Sequence, residues 1–273
     1  MKLFSTLVCF LLLAIPGQTA PSSADFSRYL SAERSISRHD RALTELVSTL
    51  EEWLAGRQSA DATKKKVASL KSELQGKLEL SGSVAATVKS SQQRTLSAVE
   101  KFLAQSAPDA EGQRALFETL NAATRDRATA LLAWRSGQNA SLAKAAKGSR
   151  ATYLAWERRW IEVWKGEVDI TYRLQKAFLS TQGGSGAGFV RELLALGTKA
   201  DKISASKELD ALSGLAKKRL TLLARAAEQL DRVGSGSRGA LTRLRKLGKE
   251  QAVLTKEMQE QRLVILGKLA SGS

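Results

Sequence analysis

The chain has one histidine, His39, and one cysteine, Cys9, and these two residues bound the chemistry it can do. Metal sites need several ligands converging on one point, and neither a second imidazole nor a mature thiol exists to join His39. The Glu-x-x-His pattern of di-metal helical bundles is absent, because position 36 is Ile. A Ser-His-Asp relay needs its histidine facing a cleft, whereas His39 falls on the apolar stripe of a helix. It is read as a partly buried histidine bonded to a neighbour; the competing readings are a pH-sensitive switch or a metal ligand.

Other candidate chemistry dissolves on similar grounds. Glu51 with Glu52 and Glu257 with Glu260 are carboxylate pairs of the kind that helical surfaces produce routinely. The run GGSGAG, residues 183–188, has neither a strand before it nor a Lys-Ser/Thr after it, so it reads as a linker and not a phosphate loop. Asn139-Ala140-Ser141 has the form of a glycosylation acceptor but falls inside an expected helix. No catalytic residue, metal or cofactor is expected, and the chain is read as a non-enzyme.

One segment is dense in aromatic residues. Tyr153, Trp156, Trp160 and Trp164 recur every three to four residues and line one side of a helix. They read as bundle core, with a groove for a lipid chain or small hydrophobe as the alternative. Glu157 and Glu167 lie inside that apolar sector, where an unpaired carboxylate is costly. If this helix and the one before it form an antiparallel hairpin turning near Gly148, Arg127 falls opposite about residue 169. An interhelical Arg127–Glu167 ion pair is therefore expected.

The elements that position these residues follow from the same apolar spacing, which predicts helices almost throughout. Six long ones are expected: about Phe26–Leu54, Ala60–Gln105, Asp109–Lys147, Arg150–Thr181, Phe189–Val233 and Ala240–Leu269. The second could bend near Gly82, and the fifth could break near Ser204 to Ser206. Ser149 is a candidate cap for the fourth. Short connections make neighbours antiparallel. The expected fold is all-α: an elongated, up-and-down, coiled-coil-like bundle. Its divisions are a leader at 1–24, an N-terminal bundle at 25–182, the linker at 183–188 and a basic C-terminal hairpin at 189–273. GFVRELLALG from Gly188 and GALTRLRKLG from Gly239 form a faint echo, each after a Gly/Ser stretch.

The N-terminus reads as an export signal. Lys2 precedes an apolar run from Leu3 to Ile15, too short to span a bilayer comfortably. Small residues favour cleavage after Ala24, with Ala20 and retention as alternatives. Cys9 leaves with the leader. An exported chain without a disulfide fits a bacterial periplasm or envelope.

The net charge of +16 attracts polyanions. The densest basic stretch holds Lys217, Lys218, Arg219, Arg225, Arg238, Arg243, Arg245, Lys246 and Lys249. The expected function is an exported scaffold or binding protein. Its basic helices would contact an acidic envelope component, either anionic lipid or glycan, or another protein. Export makes nucleic acid a less suitable partner. The alternatives are lipid or small-hydrophobe binding by the Trp-rich helix, and a self-associating coiled coil.

Overall fold

The computed structural model describes residues 23–80, 82–105, 109–180 and 186–271. The expected leader, apart from its last two residues, lies outside them. All regular structure among the described residues is helical. The helices are α1 (Ser23–Leu54), α2 (Ala60–Leu74), α3 (Gly82–Leu103), α4 (Ala110–Ala143), α5 (Gly148–Leu179), α6 (Gly186–Asp201), α7 (Lys207–Ala227), the five-residue α8 (Leu230–Gly234) and α9 (Arg238–Ser271).

The count of six long helices is corrected. Four run unbroken, as α1, α4, α5 and α9. The second expected helix stops at Leu74, and α3 restarts at Gly82 with φ +68°, a left-handed conformation that suits glycine. Leu78 stays buried in the connection, against Ile36, Val88 and Leu131. The apolar spacing therefore continued through a stretch that is not helical. The backbone N–H of Glu79 donates to Ser35 Oγ (3.1 Å), which pins that connection to α1. The fifth expected helix breaks at residues 202–206, close to the expected place, with Ile203 buried at the break. Ser149 does not cap α5: Lys147 holds the N-cap position, and Ser149 lies in the first turn. Asp109 does cap α4, accepting from the Gly112 N–H at 2.7 Å.

Each helix from α1 to α7 packs on the next, and α9 lies against both α7 and α1, closing the order of neighbours into a ring. Antiparallel pairing is visible in the contacts between partners. Asn139 and Asn121 of α4 reach Leu154 and Tyr172 of α5. Glu33 and Asp40 of α1 meet Arg262 and Gln259 of α9.

Two main cores sit along α1 and α4. The larger draws on α1, α4, α5, α6, α7 and α9, from Phe26 through Trp160 to Leu269. The second gathers Leu46, Leu50, Leu70, Leu96 and Leu120 from α1 to α4. The large core thus uses helices on both sides of residues 183–188. Of that glycine stretch, 183–185 lie outside the described residues and Gly186 to Gly188 form the first turn of α6.

At Gly186 the backbone of α6 passes close to that of α7. A Cβ there would collide with the Ala227 carbonyl oxygen, and the Gly186 N–H donates to Asp231 Oδ1 at 3.1 Å. Gly188 faces open space. Gly186→Ala should cost about 1–3 kcal/mol by forcing α6 away from α7, while Gly188→Ala should be neutral or slightly stabilising. Thermal melts of the two variants check this; equal melting temperatures would refute the close packing.

Candidate functional site

The most buried charged group among the described residues is Glu157 of α5, enclosed in the large core. Its Oε1 accepts from Tyr29 (2.9 Å), from Tyr153 (2.8 Å) and from Arg262 Nη2 (2.6 Å), while Oε2 accepts from Asn139 Nδ2 (3.0 Å). Glu33 of α1 takes a two-pronged contact from Arg135 of α4, with Nε at 2.8 Å and Nη2 at 3.0 Å, and also pairs with Arg262 Nη1. Arg262 Nη2 further donates to the Tyr29 hydroxyl at 2.7 Å. Two carboxylates and two guanidiniums therefore cancel inside the protein, joining α1, α4, α5 and α9.

The electrostatics follow from this geometry. Burial pushes the Glu33 carboxyl up, but Arg135 and Arg262 overcome that and hold it at about 2. Burial raises Tyr29 and Tyr153 well above the ordinary phenol value; Arg262 opposes the rise and Glu157 adds to it. Both hydroxyls are thus fixed donors and not proton carriers at neutral pH. A crevice of about 10 Å³ beside the network touches Glu33, Asp40, Arg135, Gln259 and Arg262, room for one water at most. This arrangement clamps α1, α4, α5 and α9 together. Asn139 donates to Leu154 O (2.9 Å) as well as to Glu157, so its amide is engaged in the core and is not presented to a glycosylating enzyme.

A second polar layer lies further along α1. Asp40 pairs with Arg127 of α4 and accepts from Gln259 Nε2 of α9 at 2.9 Å. Next to it His39 is buried, with Nδ1 2.7 Å from Gln92 Nε2 of α3, a geometry suited to a neutral ring accepting at Nδ1. Burial lowers the His39 pKa, the Arg127 charge lowers it further, and Asp40 partly opposes. Among the described residues, no three His, Cys, Asp or Glu side chains cluster where they could hold a metal.

The expected Arg127–Glu167 pair is not formed. Arg127 pairs with Asp40, and Glu167 pairs with Arg219 of α7, Nη2 to Oε2 at 2.7 Å. The axial register was read correctly, since Asn139 meets Leu154 and Asn121 meets Tyr172. The error lies in rotation about the helix axes: α4 turns Arg127 toward α1, and α5 turns Glu167 toward α7.

Tyr153, Trp156, Trp160 and Trp164 are all buried in the large core and stack in sequence, with neighbouring ring centroids 5.9–6.1 Å apart. Trp156 Nε1 donates to Ser213 Oγ of α7 at 2.9 Å. Trp160 Nε1 is buried without an acceptor, a cost of about 1–3 kcal/mol. A groove of about 140 Å³ between α5, α7 and α9 touches Tyr153, Leu209 and Ile265 but none of the three tryptophans.

The basic stretch is not one patch. Arg219 is consumed by Glu167, and Lys217 pairs with Asp201 at 2.9 Å. Lys246 approaches Glu250 at 3.9 Å. Arg245 and Lys249 lie close enough to Glu51 to act on its charge. Lys218, Arg225 and Arg243 are exposed, and the Arg238 side chain is outside those described. Sequence reasoning missed a second group: Arg34, Arg38 and Arg41 are exposed along one face of α1, with no carboxylate at ion-pair distance among the described residues. Their i, i+4, i+7 spacing was the available signal. It also missed Glu33 and Arg262, although both continue apolar stripes, Tyr29 to Glu33 and Met258 to Arg262.

Neither a protein-family model, nor a curated protein, nor a solved structure matches this chain. No helix among the described residues is long and apolar enough to cross a membrane.

Arg262→Met removes one partner from a closed buried network, leaving Glu33 and Glu157 short of positive charge. The expected loss is about 3–5 kcal/mol, on the order of 10 °C in melting temperature for a chain this size. A melt within a degree or two of the parent would show that the network carries little of the stability.

Stability should fall in acid in two windows. His39 has a lowered folded pKa, so its contribution is complete above the ordinary histidine value and is lost as pH falls through the lowered one. Glu33, also lowered, contributes above 4.5 and loses that contribution as pH falls toward about 2. Denaturant unfolding between about pH 8 and pH 2 should show both, with His39→Asn flattening only the upper one; an unchanged upper window in that variant would remove His39 from the account.

Proposed function

We propose that this protein is an exported, non-enzymatic helical scaffold of the cell envelope that binds an acidic partner through its cationic exterior. One observation carries the reading: each buried charge is matched by an opposite one that is itself buried or half-buried, so the excess lies outside. Arg127, Arg135, Arg219 and Arg262 are matched by Asp40, Glu33, Glu167 and Glu157. The excess of cations that gives the whole chain its formal charge of +16 therefore lies, among the described residues, on the solvent-facing surface. A surface of that sign concentrates polyanions around it. Arg34, Arg38 and Arg41 on α1, with Lys218, Arg225 and Arg232 on α7 and α8, are the exposed cations without carboxylate contacts that best suit such a partner.

The partner classes that fit are anionic lipid headgroups and acidic glycans, then an acidic protein face. Nucleic acid fits the charge but not an exported location, which rests on the leader-like residues 1–24. The bundle supplies stiffness: α1 alone is 32 residues, about 48 Å at 1.5 Å per residue. Such long up-and-down, coiled-coil-like helices suit a spacer or platform.

Co-sedimentation with phosphatidylglycerol vesicles, phosphatidylcholine vesicles and an acidic glycan tests the reading. Binding is expected to the two acidic surfaces only, weakening roughly tenfold or more between about 0.05 and 0.5 M salt as the screening length shortens. Arg34→Gln/Arg38→Gln/Arg41→Gln should weaken it several-fold without lowering the melting temperature. Absence of binding, or binding indifferent to salt, would defeat the proposal.

A further inference from the structure

The two halves of α9 are held differently. In the second half, Met258, Arg262, Leu266 and Leu269 are buried. Arg262 meets Glu33 and Glu157, Gln259 meets Asp40, and the Leu269 carbonyl accepts from Arg150 Nε at 2.9 Å. In the first half, no side chain from Leu241 to Glu257 is buried. Leu244, Leu247 and Leu254 are half-buried, and Leu241 is 48% exposed. None of these four leucines belongs to any of the three apolar cores, whereas Leu263 and Ile265 further along the helix pack against the largest.

The charge changes with the burial. Residues 238–249 hold five Lys or Arg and no acid. At 100° per residue the four leucines span an arc of about 140°, shared with Ala240, Gly248 and Gln251. Arg243 borders one edge of that arc and Arg245 the other, while Lys246 and Lys249 lie behind it. An apolar stripe with cations at both edges suits a helix lying in the surface of an anionic membrane. Its leucines enter the acyl boundary and its cations stay at the headgroups.

We infer that the first half of α9 is a membrane-surface element that docks on an anionic lipid bilayer. The inference rests on the reading that the partner is acidic, and it names that partner. In water the stripe rests loosely against the neighbours of α9, which are α1 and α7. On the bilayer it lifts away as a helix, pivoting near Glu257, while Arg262 keeps the second half docked. The attraction to be given up is weak. Glu51 draws on Arg245 and Lys249, and Glu52 on Lys249, all in contact with solvent. An acidic glycan would satisfy the cations and leave the leucines unused, whereas a bilayer engages both. A second copy brings the same cations to the edges of the same stripe and is repelled.

A fluorophore at position 241 provides the test. With Cys9→Ser removing the native thiol, Leu241→Cys carries an environment-sensitive NBD label. Glu260→Cys, at a side chain 54% exposed in the second half, is the control. Phosphatidylglycerol vesicles should blue-shift and brighten the label at 241 and leave the label at 260 unchanged. Phosphatidylcholine vesicles and acidic glycan should move neither. Leu244→Asn/Leu247→Asn should weaken co-sedimentation with phosphatidylglycerol vesicles roughly tenfold or more. It should leave glycan binding intact and lower the melting temperature little, since both leucines lie outside the cores. A 241 label that stays in water while the protein sediments with vesicles overturns the inference and leaves the acidic-partner reading standing. So do equal shifts at both labels, or a double variant that binds vesicles like the parent. A 241 label buried by glycan, or by raised protein concentration without vesicles, assigns the face to another occupant and also overturns it. Binding to neither acidic surface defeats both.

Discussion

Arg262 reaches into the protein from the last helix and meets Glu33 from the first and Glu157 from the fifth. Moving these charges out of water costs several kcal/mol each, which their attraction repays only when the geometry is complete. A partial network is worse than none, so α9 either docks with Arg262 in place or leaves two carboxylates poorly matched in an apolar core. Apolar stripes cannot impose that choice. Met258, Leu266 and Leu269 would pack almost as well one turn along, a slip of about 5.4 Å, because three-and-four spacing repeats itself. The ion network has no such repeat. It fixes one register for the helix that closes the ring, in a protein whose described residues contain no cysteine.

The same logic recurs at other heights. Asp40 with Arg127 ties α1 to α4, and Glu167 with Arg219 ties α5 to α7. Each pair links helices that are not consecutive in the chain. Consecutive helices are held by short connections and apolar stripes and need little more. Contacts between distant segments carry the larger loop-closure entropy, and that is where the buried charges lie. Their near-perfect cancellation then sets the character of the exterior, because every unbalanced cation is left facing water.

Much of this fold was legible before any coordinates. The helical class, the extents of α1, α4, α5 and α9 to within about four residues, and the burial of the Tyr153 to Trp164 row all follow from apolar periodicity. Periodicity failed where buried side chains continue through a turn: Leu78 keeps the spacing while the backbone at residues 75–80 leaves the helix. The polar core was less legible, although Glu33 and Arg262 sit on apolar stripes. A stripe says which face of a helix is covered and not which helix covers it. Arg127 and Glu167 illustrate this, matched along the axis yet turned to different neighbours. His39 came closest to its reading, because a lone imidazole on a buried face has few options besides a hydrogen bond such as the one to Gln92.

The inner and outer faces of α9 do different work, and the first prepares the second. A helix whose register is locked by Arg262 holds its outer charges at fixed positions, so little ordering entropy is lost when a partner meets them. The outer face is itself neutral between 246 and 260, with three cations and three anions. The cations of α1, Arg34, Arg38 and Arg41, are held in the same way, because Glu33 and Asp40 on that helix are tied into the buried ion pairs. An acidic surface that met them would meet positions already fixed, and would lose little entropy in ordering them.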